Sequence, residues 1–185
     1  PTAAHEAVMA LIQGSEKRID ALFYIVANDD TGRIFVDALT ERAKAGVKVR
    51  LLMDRLGTLR GPAAALRRLR AAGGDVRFYS PLLQVPGSGH LNLRNHRKMI
   101  IADDARVFSG GMNIGAHYLG PTALQDGWTD LAFLLEGRAV QSFGDVFRSD
   151  WGVASGEALD PAPSVASDTG GTATVQLVPS GPDIT

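Results

Sequence analysis

The chain has 185 residues, of which 45% are apolar and 21% charged, with a formal net charge of −1. That is room for one well-buried domain with a short appendage, and the near-neutral balance speaks against a dedicated nucleic-acid binder, which carries a basic excess. The absence of cysteine removes disulfides and thiolate metal sites, and no apolar run approaches the ~20 residues that a membrane-spanning helix needs.

Residues 3–14 place Ala4, Val8, Leu11 and Ile12 at helical spacing and read as an amphipathic helix. Residues 18–26 follow as a strand, with Leu22 to Val26 as its buried run. Asp30 and Thr31 can cap a second helix that carries Ile34, Phe35, Ala38 and Leu39, and Gly46 suits a left-handed stop after it. Val47 to Met53 is the next strand. Gly61-Pro62 starts a third helix to Ala72, ended by Gly73-Gly74, before a short strand from Val76 to Tyr79. This alternation implies a mostly parallel sheet with right-handed crossovers.

A Pro/Gly-rich loop, 81–89, leads to two tight strands, Lys98 to Ala102 and Arg106 to Ser109, joined by the turn Asp103-Asp104. Residues 127–136 read as another strand, and 138–150 as a helix with Val140, Phe143, Val146 and Phe147 on one face. From Gly152 to Thr174 the composition becomes that of a linker, and Val175 to Val178 reads as one more strand. The expected division is therefore a domain over 1–152, and a linker with a first strand over 153–185 leading to an absent second half. A chain beginning at Pro1 rather than Met points likewise to sequence removed upstream.

The chemistry concentrates between His96 and Asn113. His96 and Lys98 stand two apart at the start of a strand, so their side chains share one face. An imidazole beside a fixed ammonium suits an anionic substrate: the cation holds the anion and the neutral ring nitrogen attacks it. Gly110-Gly111 lets backbone approach a bound group, Asn113 adds an amide donor, and a helix N-terminus near 113–115 would favour a phosphate oxygen. Other residues have plainer readings. His5 falls on an exposed helix face, His90 and His117 lie near the motif either solvated in loops or lining the pocket, and Arg67, Arg68 and Arg70 form a wet helix face or a contact for anionic lipid or nucleic acid. Trp128 reads as packing, and Gly46, Gly73 and Gly74 as helix stops.

His96-x-Lys98, then Asp103, then Gly110-Gly111-x-Asn113 resembles the signature of the phospholipase D superfamily, with six fixed positions at fixed spacing. Nearly the whole chain is similar to one branch, the bacterial cardiolipin synthases. The further features are Ala45 to Asp54, Leu93 to Lys98, Trp128-Thr129-Asp130, Gly137 to Val140, Phe147 to Trp151 and Pro179 to Asp183. Thr129 and Arg138 depart from the usual Arg and Pro of that branch. The resemblance implies an α/β/α sandwich, one half of a two-repeat protein. It implies His96 as nucleophile through a phosphohistidine, with Lys98 and Asn113 on the non-bridging oxygens and Gly110 and Gly111 beside them. Asp103 belongs to the motif as loop support, and Asp130 would orient the histidine, fixing its tautomer and stabilising the imidazolium. No metal or other cofactor is implied.

The activity expected is transfer or hydrolysis of a phospholipid headgroup ester, at a membrane surface in the full protein, with no nucleic acid as the favoured partner. Only one motif is present, so the site needs a second half-domain or a homodimer. Two alternatives are a single-motif homodimeric phosphodiesterase or nuclease, and a non-catalytic module inactive by itself.

Overall fold

The structure is a computed structural model and describes residues 2–79, 94–159, 171 and 173–179. The 81–89 loop, His90, Leu93, much of the proposed linker and residues 180–183 lie outside the described residues. The element order is α1 (Thr2–Gln13), β1 (Arg18–Phe23), α2 (Asp30–Lys44), β2 (Lys48–Asp54), α3 (Ala63–Ala71) and β3 (Asp75–Tyr79). Then come β4 (Met99–Ala102), β5 (Arg106–Gly110), α4 (Ala116–Leu119), β6 (Ala132–Glu136) and α5 (Val140–Ser155).

One six-stranded sheet runs in the order β3-β2-β1-β4-β5-β6. The parallel pairing expected of most of the sheet holds for β1, β2 and β3; β4 runs antiparallel to β1, and the β4–β5 and β5–β6 pairs are antiparallel too. The sheet is mixed. Alternation along the strands sorts side chains into two layers. Ile19, Ala21, Phe23, Leu51, Met53, Ile100 and Phe108 pack under α1, α2 and α3, while Leu22, Leu52, Met99, Ile101 and Val107 pack under α5 through Phe143, Phe147 and Trp151. These are the layers of the expected α/β/α sandwich.

Several boundaries move, each for a local reason. Helix α2 is capped by Asp29, not by Asp30 or Thr31: the Asp29 carboxylate accepts the Gly32 N–H at 2.8 Å, and Thr31 is buried inside the first turn. The chain leaves β1 at Phe23, short of Val26. It continues as a looser strip in which the Ile25 and Ala27 backbones bond to Ile114. β4 begins at Met99, so His96 and Lys98 precede the strand. β6 occupies only the second half of 127–136. Helix α5 runs past the expected stop, through Gly152 to Ser155, because buried Trp151 pins its last turns, and it ends at Gly156 with φ +74. Val175 to Val178 forms no strand; Leu177 packs instead against the α5 layer. His5 is half-buried, its ring 3.3 Å from the Leu119 carbonyl, and Trp128 is 64% exposed, its ring stacked near Tyr118.

Candidate active site

Strand pairing collects one rim of the sheet. Phe23 pairs with Met53, Leu22 with Met99, Met99 with Ser109, and Gly110 with Ala132. The ends of β1, β2 and β5 therefore meet the starts of β4 and β6, which carries His96, Lys98, Gly110, Gly111, Asn113 and Asp130 to the same edge.

His96 is exposed, with its ring on Tyr24 at 4.1 Å between centroids and 31° between planes. The Lys98 ammonium donates to the His96 carbonyl at 2.5 Å and stands 5.8 Å from the centre of the same Tyr24 ring. Burial pushes the Lys98 ammonium below the usual lysine value, and the Asp130 carboxylate acts against that shift. A cation held this way has its position fixed while keeping donors for an anion.

Asn113 is buried, and its Oδ1 accepts the Ile25 N–H at 3.0 Å. That bond fixes the amide plane, so what Asn113 offers a ligand is its Nδ2–H₂ donor. The glycines are required by contact rather than by flexibility alone. A Cβ on Gly110 would fall 2.2 Å from the Leu131 carbonyl oxygen, and one on Gly111 would fall 2.2 Å from Asp130 Oδ1. The absence of a Cβ on Gly111 thus leaves room for the Asp130 carboxylate against the backbone, where its Oδ1 also accepts the Leu131 N–H at 2.7 Å. Asp130 thus stands within electrostatic reach of Lys98, and no hydrogen bond joins it to the His96 ring in the structure.

Asp103 is set apart. It lies at the other end of β4 from Lys98, about 16 Å along the strand, and its carboxylate accepts the N–H groups of Glu16, Lys17 and Arg18 at 2.9, 2.7 and 2.8 Å. Burial would raise its pKa, but these three bonds, with Arg106 nearby, hold it below the usual aspartate value. Both carboxylate oxygens are thus spent on clamping the α1–β1 connection. The helix N-terminus expected near 113–115 is that of α4, and its Ala116 N–H is already bonded to Asp29 at 2.8 Å, which takes it from a phosphate.

Sequence reasoning missed Tyr24, which reads as core inside an apolar strand run, and Asp54, which is buried at the end of β2 and accepts the Asn95 N–H at 3.2 Å. No local pattern marks either one. Their roles depend on chain segments distant in sequence.

The family model described as cardiolipin synthase, PLD-like domain, matches residues 8–151. The cardiolipin synthase of Geobacillus kaustophilus is 36% identical over 95% of this chain and 36% of that protein. The major cardiolipin synthase ClsA of Bacillus subtilis is 37% identical over 93% of this chain and, again, 36% of its own length. The chain thus spans little more than a third of these relatives. Among solved structures, Nuc from Salmonella typhimurium, a phospholipase D family member, superposes with a TM-score of 0.63 at 21% identity, covering 80% of this chain and 87% of that one. Phosphatidylserine synthase of Haemophilus influenzae gives 0.62 at 16% identity, over 78% of this chain and 33% of that one. The last two likenesses speak to fold.

Proposed function

The chain belongs to the cardiolipin synthase, PLD-like domain family, and on that premise we propose that it carries one half of a phosphatidyl-transfer site with His96 as nucleophile. The imidazole nitrogen of His96 attacks a phospholipid phosphorus and the P–O bond to the departing headgroup breaks. This leaves a phosphohistidine that an acceptor alcohol or water then opens. Lys98 and the Asn113 amide hold the non-bridging oxygens, and the Gly110-Gly111 backbone lets them approach. Asp130 stabilises positive charge at Lys98 and the imidazolium as it forms.

The observation that carries this reading is the pairing of an exposed imidazole with a half-buried, carboxylate-backed ammonium on one aromatic ring. The departing alkoxide needs a proton that no second histidine at this rim supplies among the described residues. On the reading we favour, the second motif comes from a further half of a longer protein. The length of the chain against its cardiolipin synthase relatives supports this. A second reading, two copies about a two-fold axis, draws support from the 87% coverage of Nuc. Light scattering combined with assays on phosphatidylglycerol and a plain phosphodiester tests both. An active dimer selects the paired reading. An inactive chain that gains phosphatidyl transfer when joined to a second motif selects the half-site. Transfer that survives His96→Ala would refute both.

A further inference from the structure

Two sequence features have no task in the reaction above: Arg97, which stands between the nucleophile and the cation, and the end of α5 from Phe147 to Trp151. The fold joins them. Arg97 Nη1 donates to both carboxylate oxygens of Asp150, at 2.6 and 2.8 Å, and the Asp150 side chain is 3% exposed. A buried carboxylate is stable only with its charge compensated, so this link persists as long as α5 stays packed.

The link matters because residues 94–98 have no helix or strand to fix them. Side chains fix them instead. The Asn95 N–H is held by buried Asp54, which also accepts the Leu56 and Gly57 N–H groups at 2.9 and 3.2 Å, and Asn95 Oδ1 accepts the Arg97 N–H at 3.1 Å. Alternation along an extended segment sends Arg97 toward α5 while His96 and Lys98 stay with Tyr24. His96 therefore stands between two anchored neighbours. The second anchor runs to α5, whose Phe143 and Val146 line one pocket with Lys98 and Gly110 and whose Trp151 and Phe147 rings lie under the Arg50 guanidinium.

We infer that Asp150 is a positioning residue, which acts through Arg97 to hold the His96–Lys98 segment in register with the rim. This rests on the reading of His96 as nucleophile. A reacting group that drifts by about 1 Å can lose on the order of a hundredfold in rate, so the effect should appear in turnover rather than in binding.

The test uses the chain with bis(p-nitrophenyl) phosphate, whose nitrophenolate leaves without needing a proton, and compares Asp150→Asn, Arg97→Met and Arg97→Lys. Asp150→Asn and Arg97→Met should slow nitrophenolate release at saturating substrate by about ten- to a hundredfold, with KM changed less than about twofold. Arg97→Lys, which keeps a cation, should recover part of the rate. The double variant should be no slower than the slower single, as for two ends of one link. In NMR spectra of the chain the His96 imidazole signals should shift or broaden in the slow variants. Folded variants with unchanged rates and unmoved His96 signals would overturn the inference, as would Arg97→Lys being as slow as Arg97→Met. Should Asp150→Asn fail to fold, the two Arg97 variants decide by the same criteria. If the unaltered chain releases no nitrophenolate, the nucleophile reading fails, and the imidazole signals alone decide whether the anchor holds the segment.

Discussion

Asp103 and Lys98 lie five residues apart in one motif and serve opposite ends of the same strand. The three backbone N–H bonds to Asp103 favour its charged form in the folded state, so the stability they contribute is fully present above the ordinary aspartate pKa of about 4 and is lost as pH falls through its lowered folded value. Asp103→Asn tolerates the left-handed turn at φ 54 but loses the charge, and should cost on the order of 1–2 kcal/mol at pH 7. In urea unfolding that difference should vanish in acid; a constant difference would show that the carboxylate charge is not what clamps the α1–β1 connection. Lys98 has the reverse sign. Its charged form exists below its pKa, which burial lowers, so substrate binding should weaken as pH rises through a value under that of an ordinary lysine. Lys98→Arg should move that alkaline limb upward in a pH profile of KM. At this scale the reading of reactive types came from the residues themselves, in which histidine, lysine and amide chemistry is written, and the fold brings His96, Lys98 and Asn113 to one rim. The partners that hold Asp103 were not legible, since they depend on residues 16–18 folding back to meet it.

Between residue and fold stand the elements that deliver the site. The spacing from Lys98 to Gly110 was legible because β4, a three-residue turn and β5 fill it: Asp103 and Asp104 take the left-handed turn, and Gly110 ends β5. The segment from 127 to 131 was not legible. It looks like strand, yet Trp128 N–H bonds to the His117 carbonyl and Gly111 N–H to that of Leu131, so the backbone is spent bringing Asp130 against Gly111. Gly111→Ala would push that carboxylate away; we expect turnover to fall at least tenfold while the melting temperature moves little, a combination that a simple packing defect would not give. Helix α5 was read too short because linker-like composition begins at Gly152, whereas the large buried side chain before it decides. Trp151→Ala should cost about 3–5 kcal/mol, readable in denaturant unfolding. Part of that loss would come through Arg50, which pairs with buried Asp20 at 2.6 Å and lies over the Trp151 ring.

For the molecule as a whole, the apolar surface is distributed unevenly. Leu131 is 77% exposed, with Leu124, Trp128, Phe133 and Leu134 exposed beside it at the β6 edge of the sheet, and Leu56 and Leu59 are exposed in the connection that follows β2. Bare apolar residues beside an unpaired strand favour association, and the proposed function draws its proton donor from outside this rim. Leu131→Asp with Leu134→Lys should weaken self-association of the chain by tenfold or more in sedimentation; unchanged molar mass would place the contact elsewhere. The expectation of a second motif rests on the count of one in the sequence. The face that meets it was not legible there, because burial is settled by tertiary packing.

The decisive measurement follows from the chemistry of the leaving group. With bis(p-nitrophenyl) phosphate no general acid is required, so His96 can be tested without its missing partner. A burst of one nitrophenolate per chain, together with the corresponding aryl phosphate mass on the His96 peptide after an alkaline quench, is the expected result, and His96→Ala should abolish both while leaving the fold intact. A burst that persists in His96→Ala, or an adduct on any other residue, would contradict the assignment of His96 as nucleophile.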